Sequence, residues 1–332
     1  SSFCNRLYSF FSDYRCFIYL GRSKSQVEVG GLMENVETLT EVNKDKPVEK
    51  GKSLWVHAWE QLRSDKYALV SMIIVCAYAL TALFSFLGVF ASNWDTQFTD
   101  SYLAPGAELL FGADLFGRSV MFKTIKGAEV AMTVGFIAAL ISMTIGVTLG
   151  AIAGFFGGKV DELIVWFYTT IASIPYIMLI IAISFISGKG LQSVCLALGL
   201  TSWVSLCRLI RGEVIRHKDR EYVHAATSIG VGNFSRLFKH ILPNVLHIVI
   251  INFSLQFQVA IKSEVILSYL GLGVQGTPSW GTMINDAKQE LAQGVWWQLA
   301  AATLAMFLVV LALNTLGDAL RDALDPKLKG KG

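Results

Sequence analysis

The sequence predicts an all-α polytopic membrane protein with six transmembrane helices and both termini on the cytoplasmic side. Three observations predict it. The chain is 53% hydrophobic and only 16% charged over 332 residues, well under the quarter-charged content of ordinary soluble domains. Six long runs contain no Lys, Arg, Asp or Glu. The basic residues between those runs are strongly partitioned between alternate segments.

Residues 1–32 lack a leading Met and precede "MENVETLTEV", so Met33 is expected to be the natural start and 1–32 an N-terminal extension. Asp13 and Arg15 interrupt its apolar stretch, which makes it too short to span and gives it no signal-peptide pattern. Residues 33–66 are expected to form a cytoplasmic tail that ends in "SLWVHAWEQLRSDK". Trp55, Trp59 and Leu62 recur there at helical spacing beside Glu60, Arg63 and Lys66, as in a helix lying along the membrane surface.

A span needs about 20 mostly apolar residues. The uncharged runs are Tyr67 to Trp94, Val130 to Gly158, Leu163 to Gly188, Gly190 to Cys207, Ile241 to Ile261 and Leu291 to Gly317. Lipid offers no partner to backbone polar groups, so each run is read as a helix. Pro175 should kink the third, while Gly199 and Ser202 suit close packing of the fourth. This divides the chain into a first span at 67–94, an extracytoplasmic segment at 95–129, a transmembrane core at 130–320 and a tail at 321–332. Within the core, 208–240 is cytoplasmic and 271–290 extracytoplasmic.

Orientation follows from Lys and Arg alone. With the N-terminus inside, the inner segments hold eighteen basic residues: four between Lys44 and Lys52, Arg63, Lys66, Lys159, seven between Arg208 and Lys239, and four from Arg321 onward. The outer segments hold five: Arg118, Lys123, Lys126, Lys189 and Lys288. The net charge of +3 points to no nucleic-acid partner.

Chemistry motifs are absent where an enzyme would need them. "KGKS" at 50–53 has Lys46 where a phosphate-binding loop requires Gly, so no nucleotide site is expected in this chain. His217, His224, His240 and His247 never stand i, i+4 and gain no Cys or carboxylate partner, so no metal site is expected. Cys4, Cys16, Cys76, Cys195 and Cys207 form no CxxC pair. Lys262 and Glu264 are charges within the fifth apolar stretch, near its outer end. Lys262 can snorkel to the headgroups; Glu264 is the better candidate for lining a pathway or tying helices together.

The basic stretch "REYVHAATSIGVGNFSRLFKHILPN" (220–244) lies between the fourth and fifth runs. Asp219 could cap a helix over Arg220 to Ile229, Gly230 could end it, and Asn233 could cap a second helix running to Ile241 before Pro243. Phe234, Leu237 and Phe238 supply apolar positions, Arg220, Arg236 and Lys239 charge. Small residues at 225, 226 and 230 favour insertion in a protein groove over a membrane surface.

"HAATSIG" followed nine residues later by "HILP" resembles the EAA loop of permease subunits of ABC importers: Glu-Ala-Ala, three residues, Gly, nine residues, then an apolar-x-Leu-Pro ending. Ala225, Ala226, Gly230, Leu242 and Pro243 match, while His224 replaces the Glu and His240 the apolar residue. "LFGADLFGRSV", "SYLGLGVQGTPSWGTMI" and "LNTLGDALRDALDPKL" are similar to the oligopeptide, dipeptide and nickel branch. The resemblance implies a bacterial inner-membrane permease subunit, one of two homologous chains around a peptide path. It implies a coupling helix, with His224, Ala225, Ala226, Gly230, Phe234, Arg236, Leu237, Leu242 and Pro243, seated on one of two cytoplasmic ATPases that bind the ATP and Mg. It also implies an extracytoplasmic binding protein that delivers cargo to the segments around 92–129 and 271–290. The rivals are a stand-alone secondary transporter or channel and a non-transporting scaffold; neither an internal inverted repeat nor an intramembrane carboxylate relay supports the transporter.

Overall fold

The computed structural model describes residues 54–107, 109–188 and 190–324. The expected extension at 1–32, the tail before Leu54 and the chain after Leu324 lie outside the described residues. Within them the protein is helical, with isolated bridges at Gln97–Arg118 and Ala113–Ser119 as its only β pairing.

Helix α1 (Leu54–Ser64) leads into α2 (Lys66–Phe86), which Asp65 caps by accepting from the Tyr67 N–H at 2.9 Å. Helix α3 runs Val120–Phe156, α4 Gly158–Ala172, α5 Tyr176–Ser187 and α6 Leu191–Lys218. The short α7 (Glu221–Ser228) precedes α8 (Asn233–Tyr269); α9 (Trp280–Leu291) and α10 (Trp297–Leu324) complete the chain. Helices α2, α3, α6, α8 and α10 are each long and apolar enough to cross a bilayer, and the pair α4–α5 makes a sixth crossing if taken together.

The differences from the sequence expectation have local causes. The first crossing, α2, stops at Phe86 rather than Trp94, because Gly88 and Ala91 take φ of +74° and +55°. Apolarity alone cannot separate helix from a folded apolar turn. The third run is broken rather than kinked: α4 and α5 meet at 91° across Ser173, Ile174 and Pro175. Pro175 supplies no N–H to the ladder and biases Ile174 away from helical backbone. The second helix expected in the 220–244 stretch does not end at Pro243. Residues Arg236–Ile241 adopt π-helical register and pass directly into Leu242–Tyr269. Local π register provides a route past the clash a proline makes with the preceding turn.

A glycine ladder joins α3 to α6. Gly146, Gly150 and Gly154 of α3 face Trp203, Cys207 and Arg211 of α6. An added Cβ would lie 2.9, 2.6 and 2.7 Å from those three carbonyl oxygens in turn. Lipid tails are as apolar as Leu, so close backbone approach and dispersion must supply the association that hydrophobicity supplies in water. From the other helix, Gly199 brings α6 against Ile141, where a Cβ would fall 2.7 Å from that side chain's own Cβ.

Candidate functional site

Two ends of the bundle carry polar structure: the loop end around 219–241, and the far end around 97–123 and 279–298.

At the loop end, α6 finishes at Lys218 and Asp219 is its C-cap, not the N-cap of the next helix. Arg220 occupies that N-cap and makes no side-chain cap bond. Helix α7 ends in a Schellman turn: the Gly230 N–H donates to the Thr227 carbonyl and the Val231 N–H to that of Ala226, both at 3.0 Å. Gly230 sits at φ +81° with open space around the Cβ position, as that turn requires.

The loop has two faces. Val223, Ala226 and Leu237 are buried, and Val223 and Leu237 join Phe155, Ile210, Val214 and Ile241 in one core. Ala226 is thus small for packing within this chain, not for a partner. His224, Ala225, Ile229, Gly230, Phe234 and Pro243 are exposed, and Leu242 is half-buried. Arg236 braces the element by donating to Thr227 Oγ1 at 2.6 Å and to Asn233 Oδ1, with its guanidinium 5.8 Å from the Phe155 ring. A cavity of about 330 Å³ lies between the α3 end and the loop, lined by Phe155, Lys218, His224, Asn233 and Arg236 among others.

At the far end, "FGADLFGRSV" folds as an Asx-type turn. Asp114 Oδ1 accepts from the N–H groups of Phe116 and Arg118 at 2.8 and 2.9 Å. Its Oδ2 accepts from Arg118 Nε at 2.9 Å and from the buried Lys123 Nζ at 3.0 Å, and Lys123 also donates to Gln298 Oε1 at 2.9 Å. Burial alone would raise the Asp114 carboxyl, but Lys123 and Arg118 outweigh it and hold the group below the usual carboxylate range. Trp280 donates to the Thr124 carbonyl and Trp297 to that of Ala113, so α3, α9, α10 and the turn form one knot. Beside it, a cavity of about 350 Å³ is lined by Asp114, Lys123, Asp286, Lys288 and Glu290. Sequence reasoning missed Asp114, Lys123 and Gln298; the Asp before a Gly-Arg turn was the available signal.

Of the two charges just past the fifth run, Lys262 is exposed and Glu264 fully buried. Glu264 Oε1 accepts from Ser268 Oγ at 2.6 Å, within α8. The residue lies in the packing around α9, where a Cβ on Gly281 would come 2.5 Å from the Val265 carbonyl. The structure does not bring Glu264 to an open surface of this chain.

Residues 146–330 match the model of the binding-protein-dependent transport system inner membrane component, which spans more than half of the sequence. The chain belongs to that family. Residues 53–105 match the N-terminal transmembrane domain of oligopeptide transport permease C. The dipeptide transport system permease protein DppC of Bacillus subtilis is 36% identical over 82% of this chain and 85% of its own. The oligopeptide transport system permease protein OppC of the same organism is 34% identical over 86% and 93%. The glutathione transport system permease protein GsiD of Pectobacterium atrosepticum is 32% identical over 85% and 95%. Among solved structures, the MetNI methionine ABC transporter in inward facing conformations aligns at a TM-score of 0.49 and 17% identity, over 62% of this chain and 98% of that one.

Proposed function

We propose that this chain is the permease subunit of an ATP-driven importer in the bacterial inner membrane and forms half of a path for di- or oligopeptides. The loop end faces the cytoplasm with both termini, and the exposed face of α7 seats on a separate ATPase. ATP and Mg are held by the two ATPase subunits; a homologous second permease completes the path, and an extracytoplasmic binding protein meets the far end. The substrate class rests on the dipeptide and oligopeptide permeases to which the chain is similar.

The observation that carries this reading is the mounting of the loop. Helix α6 runs unbroken to Lys218, and α8 runs unbroken from Asn233 through its π segment. The loop between them is packed on α3 through Val223 and Leu237. A load on α7 therefore reaches three membrane-crossing helices as a rigid-body tilt and is not absorbed by a slack linker. A lone channel or scaffold has no use for such a lever.

The test is reconstitution with candidate partner subunits in proteoliposomes, with peptide uptake measured with and without ATP. Single cysteines at Ala225 or Phe234 should crosslink to the ATPase. ATP-independent uptake by this chain alone would overturn the reading.

A further inference from the structure

The broken third crossing poses a physical problem that the fold alone does not solve. Non-helical backbone at bilayer depth is tolerated only where protein buries it or where it lines a water-filled cavity. Ser173, Ile174 and Pro175 are all exposed on this chain. Directly after the break, the Tyr176 hydroxyl meets Ser202 Oγ of α6 at 3.1 Å. Gln256 of α8 donates from Nε2 to the Ser202 carbonyl at 3.0 Å. Ser202 lies eleven residues past Leu191 and six before Arg208, roughly 16 and 9 Å from the two at about 1.5 Å per residue, well inside the hydrocarbon zone.

Three helices thus converge their polar side chains on one partly exposed strip at depth. Ser205, one position past the packed Val204 on α6, is exposed as well. Against lipid such a surface would be costly; against water it is at home. The strip holds no ionisable carboxylate or amine, only hydroxyls and a carboxamide, which both donate and accept.

We propose that Tyr176, Ser202 and Gln256, with the open backbone at Ser173–Pro175, are this subunit's wall of the translocation path and hydrogen-bond the amide backbone of a passing peptide. This rests on the importer reading above and replaces Glu264 as the pathway residue. A neutral donor–acceptor wall engages what all peptides share, their amides, and is indifferent to side-chain charge.

Cysteine accessibility in the assembled transporter tests it. In a parent with Cys4, Cys16, Cys76, Cys195 and Cys207 replaced, single cysteines are placed by Ser202→Cys, Gln256→Cys and, as a lipid-facing control, Leu80→Cys on the exposed side of α2. A thiol in hydrocarbon cannot ionise, so a charged methanethiosulfonate should modify S202C and Q256C at least roughly tenfold faster than L80C. Added dipeptide should slow both. Equal slow rates at all three sites, with a lipophilic maleimide labelling each, would overturn the wall. If the wall positions react fast but the parent shows no ATP-driven uptake, the importer reading fails and the aqueous wall stands. Tyr176→Phe provides a second readout: KM for peptide rises several-fold with thermal stability unchanged, and an unchanged KM counts against the amide contact.

Discussion

Arg211 grips Asp161 through two parallel hydrogen bonds, Nε to Oδ1 at 2.5 Å and Nη2 to Oδ2 at 2.6 Å, tying the start of α4 to α6. The same Arg211 presents its carbonyl to Gly154 of α3. One residue therefore registers three helices at the loop end.

Removing half of that fork should be felt. Asp161→Ala leaves a partly buried guanidinium without its bidentate partner, a loss of about 1–3 kcal/mol for a charge-assisted pair. Arg211→Lys keeps the charge but not the fork and should recover only part of the loss. The check is the thermal unfolding midpoint in mild detergent, with the Asp161→Ala/Arg211→Ala double variant showing less than the sum of the two single losses.

Gly150 is the tightest rung of the α3–α6 ladder, with a Cβ position 2.6 Å from the Cys207 carbonyl. Backbone is on the receiving side, so no rotamer change can make room. Gly150→Val should cost roughly 1–3 kcal/mol or force the helices apart. Gly212, with open space around its Cβ position, is the matched control: Gly212→Ala should leave the melting midpoint unchanged or slightly raised. Equal effects at both positions would mean the ladder is not a tight contact.

Glu290 is 4% exposed, and its Oε2 has no hydrogen-bond partner. Burial raises its carboxyl above the usual range, which Lys123 offsets only in part. A folded-state pKa above the unfolded value means the folded protein binds the proton more tightly. Stability is then fully present below the unfolded pKa and falls as pH rises through the folded one. Glu290→Gln should remove that decline and raise the melting midpoint at neutral and alkaline pH. Asp114 has the opposite sign: its depressed pKa contributes stability that is lost as pH falls. Asp114→Asn should flatten the acid side of the profile while lowering stability at neutral pH.

The crossings were legible because bilayer thickness imposes long uncharged runs that composition cannot hide. The four-residue spacing of Gly146, Gly150 and Gly154 stands in "IGVTLGAIAG" as a packing signal that sequence reasoning missed. Less could be read where geometry depends on partners distant in sequence. Pro175 announced an interruption, but a right-angled break is set by how α4 and α5 each pack on α6. Pro243 resembled a helix boundary because proline usually is one, and π register upstream is not encoded in hydropathy. Glu264 stood out as an embedded charge, yet its full burial depends on α9 closing over α8 from beyond the 270–279 loop. Asp114 and Lys123 are nine positions apart and meet through a turn that only its two positive-φ glycines, Gly112 and Gly117, make possible.

The proposed docking face is best probed at Ala225 rather than Gly230. A bulky residue at Gly230 blocks a cleft by simple sterics, but φ of +81° there also strains the Schellman turn, so Gly230→Trp confuses two causes. Ala225 is exposed on helical backbone, and Ala225→Trp adds bulk without strain. Its melting midpoint in detergent should match the parent while ATP-driven uptake falls by about tenfold or more, the equivalent of about 1.4 kcal/mol of lost engagement. Ala226→Trp should behave differently, because Ala226 is turned into the chain at 5% exposure and the variant should lose stability before it loses docking. Wild-type uptake by a stably folded Ala225→Trp protein would remove this face of α7 from the contact with the ATPase.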